Sequence, residues 1–213
     1  MPSRHLLSLL FLFCMGLQAA RAVTDSLKWP AGQVPVGQTN GPDGLDDIWQ
    51  GLFDAWALAP SGDDDDDGCS NAIESVAGTN PFLATDCLKV GNVAITGGSV
   101  SITGKVEAGK KYRVLSSDSP NGPTWTAETI VLVNASPLNA TVYVPSADAP
   151  ATTLSVVKAV GTKKFYKLET SDTDSDSDGV SDWAERRLGL NPNAAVSDLV
   201  SGVPDGVAVV SEL

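Results

Sequence analysis

The chain has 213 residues, 14 of them basic and 26 acidic, for a formal net charge of −12. That balance repels nucleic-acid phosphates and anionic lipid and attracts cations. The one histidine, His5, lies at the start, so the rest of the chain has no Ser-His or Cys-His couple and no imidazole for a soft metal.

Residues 1–22 read as an export signal. Arg4 and His5 precede an apolar run over 6–15, and Ala20-Arg21-Ala22 supplies a small-residue cleavage site. A run of about ten apolar residues is half of what a membrane span requires. The leader is therefore expected to be removed, leaving a secreted or cell-surface protein with no transmembrane segment. Its loss takes Arg4 and Arg21 away and makes the remainder more acidic.

An N-terminal region is expected over 23–86. Residues 23–40 carry Pro and Gly without periodicity. Leu45, Ile48, Trp49, Leu52, Phe53 and Trp56 then recur at intervals of three and four, which predicts an amphipathic helix over 46–58 with Asp46 and Asp47 in its first turn.

The acidic residues that follow are concentrated at 63–67 and again at 172–182. Asp63-x-Asp65-x-Asp67-Gly68-x5-Glu74 and Asp174-x-Asp176-x-Asp178-Gly179-x5-Glu185 both fit a calcium-loop spacing. Calcium takes six to eight oxygens, and carboxylates at positions 1, 3 and 5 converge on one point when a glycine at position 6 permits a sharp bend. On this pattern the carbonyl of Cys69 or Val180 supplies one backbone oxygen. Asn71 or Asp182 at position 9 commonly acts through a water, and Glu74 or Glu185 at position 12 closes the shell with two oxygens. Magnesium, with its strict octahedron, suits such a crowded loop poorly.

The two loops also agree beyond the ligands. Ser70/Ser181, Gly78/Gly189, Asn80/Asn191 and Pro81/Pro192 keep one offset of 111 residues, the mark of an internal repeat with a short capped helix after each loop. An acidic, flexible linker is the plain alternative, and it has no reason to keep the glycine and the glutamate in register. An eroded third copy over 40–50 keeps only Asp43 and Asp47, and reads equally as an ordinary loop entering a helix.

Residues 87–170 change to an alternating, β-branched pattern. Strands are predicted over 92–96, 99–103, 111–115, 128–133, 140–144, 153–157 and 164–168, separated by turn residues such as Gly97-Gly98 and 119–123. The expected fold is mainly β: a small antiparallel β-sandwich flanked by calcium-binding loop-helix repeats, the second spanning 171–193 with a helix over 182–188. Residues 194–213 form a tail without a compelling element, either frayed or leading into a longer protein. After the leader, Cys69 and Cys87 are the only cysteines, and they read as one disulfide or as two buried thiols.

The phrases Asp65-Asp66-Asp67-Gly68-Cys69-Ser70-Asn71, Ala77-Gly78-Thr79-Asn80-Pro81 and Asp176-Ser177-Asp178-Gly179-Val180-Ser181-Asp182-Trp183-Ala184-Glu185 resemble bacterial thrombospondin type 3 repeats, which are close in spacing to EF-hand and dockerin loops. The resemblance implies calcium ligands at Asp63, Asp65, Asp67, Asn71 and Glu74, and at Asp174, Asp176, Asp178, Asp182 and Glu185. The chain departs from that family in having Cys69 where an aliphatic residue is usual, and in separating its repeats by a β region. Gly109-Lys110-Lys111-Tyr112-Arg113-Val114, Trp125 and Lys164-Phe165-Tyr166-Lys167-Leu168 resemble a β-module of exported proteins from Verrucomicrobia-like and Planctomycetes-like bacteria.

These readings lead to a calcium-binding structural protein of the cell exterior, with calcium rigidifying interdomain junctions. The rival is a non-catalytic adhesion module for an extracellular protein or polysaccharide, with Trp125 as a stacking platform. Catalysis is not expected: paired acids must sit in a cleft, and the acids outside the loops, such as Glu107, Glu128 and Glu169, stand in plain contexts.

Overall fold

The computed structural model describes residues 43–121, 123–157 and 164–197, so the expected leader, the lead-in and most of the tail lie outside the described residues. Those described form a mixed fold of three short helices and two antiparallel sheets.

Capping chemistry sets the length of each helix. Helix α1 (Asp47–Phe53) starts where the Asp46 carboxylate accepts the Trp49 N–H, and stops at Asp54, which adopts φ 54° and ψ 42°. This left-handed residue ends the helix well before the apolar periodicity does, and Leu58 reaches the same core from a loop. Helices α2 (Asn71–Ala77) and α3 (Asp182–Leu188) are built alike. Ser70 and Ser181 cap their N-termini, and Gly78 and Gly189 close them at φ 76° and 78°.

Eight strands follow one another between α2 and α3: β1 (Val90–Thr96), β2 (Ser99–Val106), β3 (Lys110–Ser117), β4 (Thr126–Ala127), β5 (Ile130–Val133), β6 (Ser136–Ala140), β7 (Ala149–Val157) and β8 (Phe165–Asp172). One sheet has the order β1-β2-β7-β5-β6 and the other β4-β3-β8. Alternation in β2 buries Val100, Ile102 and Val106, while Ser101 and Thr103 on its other face hydrogen-bond Ser155 and Thr153 of β7 at 2.8 Å. The buried residues join with Tyr112 and Val114 of β3, Ile130 of β5, and Leu154 and Val156 of β7 in a core fed by both sheets.

The strand predicted over 140–144 is displaced. Asn134 and Ala135 both take positive φ (47° and 68°), forming a two-residue hairpin that pairs Val133 with Ser136 and places β6 at 136–140. Pro137 fits because β6 is an edge strand. Residues 141–144 instead run past β3, touching it through one bridge between Tyr112 and Tyr143.

The two acidic repeats bracket the sheets in sequence but meet in space. Leu45, Ile48, Trp49 and Ala55 around α1 share a second core with Val180, Trp183, Ala184 and Leu190 of the C-terminal repeat, and Ala72 of α2 packs against it. Trp183 is the pin between this helical cluster and the sheets. A Cβ at Gly78 would lie 2.5 Å from its indole, and one at Gly109 would lie 2.3 Å from its backbone nitrogen. The buried Lys110 ammonium sits 4.7 Å over the same ring and pairs with Asp172 at 2.5 Å.

Candidate metal centre

Both acidic loops fold by closely similar side-chain to backbone bonds, differing in whether the amide of position 5 or of position 4 also donates to the first aspartate. In the first, Asp63 accepts from the amides of Asp67 (3.1 Å) and Gly68 (2.8 Å), Asp65 from Asp67 (3.2 Å), and Asp67 from Cys69 (2.7 Å). In the second, Asp174 accepts from Ser177 (2.7 Å) and Gly179 (3.1 Å), Asp176 from Asp178 (3.3 Å), and Asp178 from Val180 (2.9 Å). Positions 4 and 6 carry positive φ in each: Asp66 at 59° and Gly68 at 92°, Ser177 at 63° and Gly179 at 96°. This winding turns alternate carboxylates inward. Asp63, Asp65 and Asp67 offer oxygens that lie within 4.8 Å of one another, as do Asp174, Asp176 and Asp178. Each trio is a cluster able to hold a divalent ion.

The remaining sequence-predicted ligands occupy distinct places. Glu74 and Glu185 are fully buried in the first turns of α2 and α3. Burial pushes the Glu74 carboxyl up to about 7 from 4.5, and the nearby Asp65, Asp67 and Asp63 carboxylates push the same way, against a hydrogen bond from Thr79. Glu74 thus lies near enough to the aspartate trio to feel its charge, although the group of oxygens within 4.8 Å of one another comprises the three aspartates and not Glu74. Cys69 and Val180, expected to contribute carbonyls, have buried side chains; Val180 packs in the helical core.

Position 9 plays a role that spacing did not suggest. The Asn71 amide donates to Asp64 Oδ2 (2.7 Å) and to the Ala59 carbonyl (2.8 Å), and Asp182 accepts from both the backbone N–H and the hydroxyl of Ser175 at 2.7 Å. In each loop position 9 thus anchors position 2. Asp64 and Ser175 were missed as partners because their residue types differ and no ligand pattern includes them.

The first loop fits a cation on a further count. Asp65 Oδ2, Asp67 Oδ2, Asn71 Oδ1 and Glu74 Oε2 are buried acceptors without a hydrogen-bond donor among the described residues. A buried carboxylate oxygen left unpaired is costly, and a hard cation satisfies several at once. Lys89 supplies part of the compensation from outside, its ammonium contacting the Asp67 carbonyl and lying 3.5 Å from the Asp67 carboxylate.

Cys69 and Cys87 form a disulfide, with Cα atoms 6.1 Å apart, which tethers the first loop to the strand region. Their sulfurs also lie near Asp67, but sulfurs bonded to each other offer no thiolate to a metal.

The eroded third copy is not built this way. Asp43 spends one oxygen on the Leu45 amide (3.1 Å) and the other on the Gln50 side chain (2.9 Å), while Asp46 caps α1. Among the described residues no acidic trio forms there. Nor is any described helix long and apolar enough to cross a membrane. In comparisons with known proteins, no family model, curated protein or solved structure matches the chain.

Proposed function

We propose that this is a calcium-stabilised structural protein of the cell exterior, with loops of the thrombospondin type 3 kind. Two ions fix a helical cluster against a β-sandwich made of the two sheets. The observation that carries the reading is the set of donorless buried oxygens on Asp65, Asp67, Asn71 and Glu74. Oxygen-only ligands in a flexible loop suit calcium better than magnesium, and the absence of imidazole and thiolate disfavours zinc.

The role follows from where the loops lie. Each ion would bind between an aspartate-rich turn and a glutamate on the following helix, Glu74 on α2 or Glu185 on α3. Those helices abut at Gly78 and Trp183, so calcium would clamp together two segments separated by the whole β region. The ions act by holding geometry; the loops' acids are committed to ligation, which supports a non-catalytic role. Leader-directed export agrees with the disulfide, since disulfides persist in oxidising compartments.

The adhesion reading draws less support. Trp125 is half-buried and Lys167 lies 5.1 Å over its ring, occupying a face that a sugar would need.

The test is thermal unfolding of the purified chain in millimolar calcium, in matched magnesium and in chelator. Calcium should raise Tm well above the chelated value and magnesium should do little, because a ligand bound only to the folded state stabilises it by mass action. Equal midpoints in all three conditions would end the proposal.

A further inference from the structure

The five-stranded sheet has two edges, and they are managed differently. Strand β6 carries Pro137 and a left-handed Asn139 (φ 56°), both of which block further pairing. Strand β1, at the opposite edge, runs Val-Gly-Asn-Val-Ala-Ile-Thr over residues 90–96 with no charge and no proline, and only β2 pairs with it among the described residues. An uncharged, β-branched edge is a ready template for another strand, and proteins that do not use such an edge usually blunt it.

The side chains point the same way. Val93 lies opposite Ile102 and Ile95 opposite Val100, so all four belong to the core-facing side of the sheet. Ile102 and Val100 are 3% and 1% exposed; Val93 and Ile95 are 56% and 62% exposed. The start of β1 lies near β8, Val90 sharing a cavity with Leu168 and Thr170, but Val93 and Ile95 are left uncovered, and there the apolar pattern continues one strand beyond its cover.

We propose that β1 is a self-association edge, at which a second copy of this chain adds its own β1 antiparallel and joins the two five-stranded sheets into one. The sequence is self-complementary for that pairing. With the two-fold axis at Ala94, Val93 meets Ile95 of the second copy and Ile95 meets its Val93, while Asn92 meets Thr96. Each uncovered apolar side chain thereby gains an apolar cross-strand neighbour, and each polar one a hydroxyl or amide. The strip between the copies, residues 92–96 of each, holds no charge that would repel its counterpart. A foreign strand would need no such self-matching register.

Sedimentation equilibrium of the full calcium-loaded chain, over a roughly hundredfold range of concentration, should show a monomer–dimer equilibrium. The double variant Val93→Lys, Ile95→Lys changes two exposed side chains and should weaken dimerisation at least tenfold, with near-ultraviolet circular dichroism unchanged. Should that variant misfold, register gives a second reading. Under oxidation Ala94→Cys, on the axis, should form an interchain disulfide above the wild-type background, whereas Thr96→Cys, facing Asn92, should not. A monomer at every concentration, a dimer indifferent to both lysines, or equal crosslinking by the two cysteines would overturn the proposal.

Discussion

Asp46 is asked to do two opposed things. Its carboxylate caps α1 by accepting the Trp49 N–H at 2.7 Å, yet it is 8% exposed, and burial pushes its pKa up to about 6 from 3.8 despite that hydrogen bond and the nearby Lys110. A carboxyl with a raised folded-state pKa favours folding fully below its unfolded value, and that contribution is lost as pH rises through about 6. Asn caps a helix as well as Asp and carries no charge to desolvate. Asp46→Asn should therefore match the wild type near pH 4 and exceed it at pH 7 by ~1 to 3 kcal/mol, measured by urea unfolding at both values. The proposed calcium sites are tested by removal: Asp65→Ala or Asp176→Ala takes a carboxylate from one trio, and each should abolish calcium binding at its own loop only, read as loss of one of two binding events.

The repeated helices provide a matched pair of glycines. Gly78 and Gly189 close α2 and α3 at nearly the same φ, 76° and 78°, so alanine at either meets the same left-handed cost of about 1 kcal/mol. Their surroundings differ: a Cβ at Gly78 would sit 2.5 Å from the Trp183 indole, while nothing lies within 4 Å of one at Gly189. Gly78→Ala should cost at least ~1 to 3 kcal/mol more than Gly189→Ala by denaturant titration, because a packed indole must shift. What could be read from sequence divides along similar lines. Aspartates and a glycine at fixed intervals made the two turns, their aspartate trios and the caps of the following helices legible, and alternation located most strands. The hairpin at Asn134-Ala135 was not, since it lacks the glycine that signals a primed turn. α1 was overrun because apolar spacing continued past the left-handed Asp54. The contact between Gly78 and Trp183 had no local signal at all, as each residue reads as an ordinary part of its own repeat.

At the scale of the whole molecule, specific polar links join the helical cluster and its flanking segments to the β region among the described residues. Arg187 of α3 pairs with Glu107 and with Asp148 (3.2 Å), both from the β region; Lys105 pairs with Glu107 (2.5 Å) and with Asp86. The disulfide ties the first acidic loop to the same region across a sequence separation of 18 residues. Replacing Cys69 and Cys87 together by serine should lower stability by ~3 kcal/mol on the loop-entropy model, measured by chemical unfolding. Chelation should act at the two loops together. Limited proteolysis should cut within 63–68 and 174–179 in chelator and leave both intact in calcium, because adjacent carboxylates without a cation repel one another.

Isothermal titration of the calcium-free chain with calcium addresses the central claim most directly. Two ions should bind per chain, one fewer after Asp65→Ala and one fewer again when Asp176→Ala is added. A flat titration, or heat unchanged in both variants, would mean that the two aspartate-lined turns are not metal sites.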